Sequence, residues 1–122
     1  LYTYQWNAVL NEKSVADFQE SYQNQVNSVK SELDQYILQV KRTPLLEDKF
    51  QVGLDLRDKS NNEFFVYGQD SLVLWTNNSF IFPIQRDSST LRSGVYFLDN
   101  GWYHIEERVD QDSIFAGAFK TL

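Results

Sequence analysis

GVYFLDNGWYHIEERVDQDSIFAGAFK, residues 94–120, reads as three antiparallel strands joined by two tight turns. Asn100-Gly101 stands between two apolar runs, the strongest short-range hairpin signal, because a type I′ turn needs φ > 0 at both central positions. With that turn as centre, Leu98 faces Tyr103, Phe97 faces His104 and Tyr96 faces Ile105. A second turn at Gln111-Asp112 sets Val109 opposite Ile114, Ile105 opposite Ala118 and His104 opposite Phe119. One face then carries Tyr96, Leu98, Tyr103, Ile105, Val109, Ile114, Ala116 and Ala118. The other carries Val95, Phe97, Trp102, His104, Glu106, Phe115 and Phe119. Both faces are largely apolar. An antiparallel sheet with one wet face alternates apolar with polar, so this sheet needs a cover on each side.

Working outward, Glu63–Thr76 is another hairpin: FFVY, a turn at Gly68-Gln69-Asp70, then SLVLW, again apolar on both faces. Asn77–Ser93 joins the two hairpins. Connections longer than about 12–15 residues are usually functional or locally structured, and Phe80-Ile81-Phe82 anchors this one. Further upstream, Tyr22, Val26, Val29, Leu33, Tyr36 and Val40 recur at alternating spacings of four and three and stop before Thr43-Pro44. Ser14-Val15-Ala16-Asp17 has the form of a capping box with Asp in place of Glu. A long helix is therefore predicted over residues 14–42. Its stripe packs on its own sheet or pairs with a second copy's helix, and one helix can do both with different faces.

Leu45–Asp58 keeps two readings. Leu46, Phe50 and Leu54 suit a helix, whereas Phe50, Val52, Leu54 and Leu56 alternate like a strand. Its position after Pro44 and its charge content favour a short helix or an irregular segment. Residues 1–13, with Tyr2, Tyr4, Trp6, Val9 and Leu10, form an early helical turn or an irregular lead-in.

Composition bounds the function. A length of 122 residues predicts a single domain over 1–122 that buries a core without staples. The absence of cysteine excludes a disulfide framework and thiolate metal sites. A net charge of −6 argues against a nucleic-acid surface built on phosphate contacts. No run reaches the roughly 18 apolar residues of a membrane span, and no signal peptide is visible at Leu1. With no methionine anywhere, the chain is expected to be a fragment of something longer.

Assembled, these pieces make an α+β domain. A long N-terminal helix packs on a five-stranded antiparallel sheet over 63–120, with the first hairpin beside the last strand and the crossing segment curled over the other face. That is a PAS-like arrangement. FFVYGQDSLVLWTNN and GVYFLDNGWYHIEERV, followed by the DSIFAG last strand, resemble the extracytoplasmic sensor domains of bacterial membrane-bound two-component sensor histidine kinases, the PAS-like or Cache type. The resemblance covers about residues 20–122 and is most specific in the VYxxDSLxxW and NGWY stretches. It implies a transmembrane helix running into the long first helix, a second one after the last strand, and a kinase core beyond. It also implies an inner-membrane protein whose segment here is periplasmic, catalyses nothing itself and dimerises through the long helix. These motifs form the fold, and no ligand signature carries over residue by residue.

Candidate chemistry is sparse. His104, the single histidine, shares a face with Trp102, Glu106 and Phe119, and a histidine beside a carboxylate is a pH-sensitive or ligand-binding pair, or a hydrogen-bonded edge feature. Spacing signals no further metal ligands. Arg86 and Arg92 bracket the crossing segment and suit a bidentate clamp on a planar anion, or are solvated loop arginines. Trp75 and Trp102 stack on a ligand or fill the core. There is no Gly-x-Ser-x-Gly and no phosphate-cradling glycine loop. Glu106 and Glu107 point to opposite faces, which rules them out as a glycosidase pair. A pocket is expected between the crossing segment and the face bearing Phe97, Trp102, His104 and Glu106, with Arg86 or Arg92 orienting a small ligand and no cofactor required. The rival reading is a stand-alone secreted or periplasmic α+β binding protein or enzyme with the aromatic face as its cleft.

Overall fold

The computed structural model describes residues 4–69, 71–76, 93–98 and 101–121, with side chains from Ser14 onward. Its elements are α1 (Tyr4–Arg42), α2 (Leu46–Ser60), β1 (Glu63–Gly68), β2 (Ser71–Trp75), β3 (Ser93–Leu98), β4 (Gly101–Asp110) and β5 (Ser113–Lys120). The strands form one antiparallel sheet in the order β2-β1-β5-β4-β3, with the first hairpin beside the last strand. This is the α+β arrangement expected from the sequence, a long N-terminal helix on a five-stranded antiparallel sheet; the crossing segment lies outside the described residues.

α1 starts ten residues before the predicted Ser14. Residues 4–13 contain neither glycine nor proline, so nothing breaks the helix there, and the capping-box pattern at Ser14–Asp17 sits in its interior. The end at Arg42 falls where Thr43-Pro44 stops it. The stripe Val26, Val29, Leu33, Tyr36 and Val40 lies against the sheet with each side chain 6 % exposed or less. Each such burial contributes about 1.5–3 kcal/mol. The expectation that the Tyr22–Val40 stripe serves as a seam between two copies is therefore corrected: the chain's own sheet fills it. The Leu45–Asp58 region resolves as α2, packed by Gly53 and Leu56 with Phe50 and Val52 beside them, and it ends at Asn61 in the left-handed conformation.

The β4–β5 register is the expected one, with Val109 opposite Ile114, Ile105 opposite Ala118 and His104 opposite Phe119. Gln111 takes the left-handed φ of 55° that its turn needs. The β3–β4 register differs from the expectation. Leu98 pairs with Gly101, Phe97 with Trp102, Tyr96 with Tyr103 and Val95 with His104. Asp99 and Asn100 are left between the strands; their conformation, and so the proposed Asn100-Gly101 turn, lies outside the described residues. Gly101 instead opens β4 with φ of 151°. The slip is two residues, one full side-chain period, so every residue keeps its expected face.

The two faces bury separate cores. Phe64, Val66, Leu74, Phe115 and Phe119 meet α1 and α2, while Phe65, Tyr103, Ile105, Ala116 and Ala118 cluster on the opposite face. Tyr36 packs at 5.9 Å from Phe115, and Tyr22 at 6.0 Å from Phe119. Descending helix numbers thus track ascending strand numbers, and α1 runs antiparallel to β5. The start of α1 and the end of β5 lie at the same end of the sheet. Residues 14–21 are all exposed, so the helix runs on past the sheet edge.

Candidate functional site

One polar feature of the helix-covered core is a chain of side chains across the seam between α1 and the sheet. His104 and Glu106 project from the same face of β4, two residues apart, with 5 % and 4 % exposure. His104 Nε2 lies 2.6 Å from Glu106 Oε2, and His104 Nδ1 lies 2.5 Å from the Tyr22 hydroxyl on α1. An ionised carboxylate only accepts, so Nε2 carries the proton toward Glu106. In the neutral ring Nδ1 then accepts from the Tyr22 O–H. The Phe119 ring stacks on the imidazole at 5.2 Å, and Tyr22 meets it edge-on at 5.4 Å.

The far side of Glu106 is also occupied. The Ser93 hydroxyl donates to Oε1 at 3.1 Å, and Arg108 Nη1 stands 3.7 Å from the same oxygen. Arg108 Nε in turn lies 3.8 Å from Asp34 of α1. Tyr22 and Asp34 thus tie α1 to the sheet by polar groups, and Lys41, 3.2 Å from Asp110 of β4, adds a tie nearer the end of the helix. Burial, and next the negative charge of Glu106, raise the Tyr22 phenol above its usual pKa, so its hydroxyl keeps its proton. Since buried polar groups without partners cost about 1–3 kcal/mol each, the relay is stable only while both elements stay docked.

Of the residues singled out from sequence, His104 and Glu106 come together. α1 covers their face, and Tyr22 closes over the imidazole, while the crossing segment, and with it the expected pocket, lies outside the described residues. Phe97 and Trp102 lie on the same face farther toward the sheet edge, 61 % and 45 % exposed, with ring centroids 5.1 Å apart. Arg86 and Arg92 lie outside the described residues. Tyr22, Ser93, Arg108 and Asp34 were missed as members of the network. Only Tyr22 carried a signal, a hydroxyl within an otherwise apolar stripe.

An open cleft of about 260 Å³ lies at the other end of the sheet, among Val40, Lys49, Val66, Leu74, Asp110 and Phe115, and holds none of the predicted site residues. Among the described residues, no group of three or more metal-ligating side chains is gathered, and no helix is long and apolar enough to cross a membrane. No family model matches the chain, and no curated protein or solved structure matches it either.

Proposed function

We propose that this chain is the extracytoplasmic signal-sensing domain of a membrane-bound two-component sensor histidine kinase, a periplasmic module that catalyses nothing itself. One observation carries the reading: α1 runs antiparallel to β5, so the start of the long helix and the end of the last strand lie at one end of the sheet. In such a receptor those two elements are the ones that continue toward the membrane. A signal is then a shift of α1 relative to β5. The polar relay at Tyr22 and His104 is the contact any such shift must remake.

A small ligand or a partner protein biases that equilibrium by binding one of the two seam positions better than the other. A second copy associates through α1. Because the Tyr22–Val40 stripe is filled, it uses the exposed part of the helix, where Val15 and Phe18 are 48 % and 52 % exposed. The test is the coding sequence on either side. Apolar segments of about 20 residues immediately before Leu1 and after Leu122 are expected. A signal peptide directly before Leu1 with a stop codon near Leu122 would overturn the reading in favour of a stand-alone periplasmic or secreted protein.

A further inference from the structure

We propose that the α1–sheet seam responds to protons through His104. The imidazole is buried, and both of its nitrogens are engaged, Nδ1 with Tyr22 of α1 and Nε2 with Glu106 of β4. A neutral ring donates once and accepts once, which matches these two partners. When Nδ1 gains a proton the ring has two donors and no acceptor. The Tyr22 hydroxyl must then accept, and it turns its own hydrogen toward water at the half-buried rim of the seam. The same proton turns the bond to the Glu106 carboxylate, already charge-assisted, into an ion pair.

The charged groups around the ring, among the described residues, enter this balance. Tyr22 faces it from α1 and Glu106 from β4. Arg108 stands beyond Glu106, and Asp34 of α1 stands beyond Arg108. β3 supplies the Ser93 hydroxyl and β5 the Phe119 ring, and neither is charged. With His104 neutral, and among the described residues, the two carboxylates Glu106 and Asp34 face the guanidinium of Arg108. A protonated His104 brings the group to balance. The seam therefore closes more firmly when His104 gains a proton. The proton response stands on this geometry alone; its use as a signal rests on the receptor reading above.

The chain has a single histidine, so its imidazole nitrogens are assigned without ambiguity in a ¹⁵N magnetic-resonance titration of this chain from pH 8 to pH 5. The expected result is protonation of Nδ1 in step with a shift of the Tyr22 ring carbon that bears the hydroxyl. Amide exchange over residues 18–29, corrected for its intrinsic pH dependence, slows about fivefold in the same interval, the order expected when a neutral hydrogen bond becomes charge-assisted. In Tyr22→Phe the ring still titrates but the slowing is lost. Titration of the imidazole with no change at Tyr22 or in α1 would overturn the proposal. So would the absence of any titration in this range, or an undiminished slowing in Tyr22→Phe. The flanking coding sequence decides the receptor reading and this titration does not, so the two fail separately.

Discussion

Tyr22, His104 and Glu106 behave as one unit because the ring between the two partners has a fixed number of donors and acceptors. Removing the Tyr22 hydroxyl leaves Nδ1 without its donor, and replacing the Glu106 carboxylate by an amide removes its charge and lets an N–H donor compete for the place of the acceptor that fixes the tautomer. Tyr22→Phe and Glu106→Gln should each lower unfolding free energy by about 1–3 kcal/mol. Together they should depart from additivity by at least about 0.5 kcal/mol, the range for residues in one network. Urea unfolding of the two single variants and the double variant checks this. The phenols supply a pH dependence. Tyr22 and Tyr36 are both raised above the usual value of 10.0, chiefly by burial. A raised pKa in the fold means that its stabilisation is complete below about pH 10 and is lost as pH climbs toward the folded-state values. The urea midpoint should fall between pH 9 and 11 in the parent (about the onset of tyrosine ionisation) and fall less in Tyr36→Phe. At this scale the sequence revealed half the site. His104 and Glu106 are neighbours by strand period alone, whereas the Tyr22 contact spans 82 positions and leaves no local trace.

The elements were legible where their periodicity was strong and uncapped ends were not. The β4–β5 pairing follows from its turn, and the stripe on α1 follows from its spacing. The start of α1 did not, because a capping-box pattern also fits a helix interior when no glycine or proline precedes it. The β3–β4 slip arose because two adjacent two-residue loops, Asn100-Gly101 and Asp99-Asn100, satisfy the same face pattern. Gly101 still carries the positive φ, now at the first position of β4. Gly101→Val should cost about 1–3 kcal/mol, read as a lower thermal midpoint; an unchanged midpoint would show that the conformation is not required. Gly117 has a different role. A Cβ there would stand 2.8 Å from Val29 Cγ2, so its absence lets α1 lie close against β5. Gly117→Val should destabilise by about 1–3 kcal/mol through overpacking. Val29→Ala in the same chain should recover part of that loss, since it removes the atom that is struck.

For the whole molecule, the sequence yielded the architecture because hydrophobic pattern, turn chemistry and the proline stop all agree on it. It misplaced the open surface because periodicity shows which face of α1 is apolar but not what fills it. The sheet takes Val26, Val29, Leu33, Tyr36 and Val40, and the same stripe emerges past the sheet edge at Val15 and Phe18. In the proposed receptor, a second copy held in the same membrane would meet that exposed part at high effective concentration, so association there need not survive in this chain alone. The receptor account is tested most directly by single cysteines placed one at a time along residues 15–30 of the intact membrane protein, since this segment contributes no cysteine of its own. Disulfide crosslinking between copies should peak at Val15 and Phe18 on the exposed stretch, with helical spacing there, and should vanish at Val26 and Val29, which share that helix face but are buried under the sheet. A flat profile, or maxima at Val26 and Val29, would contradict it.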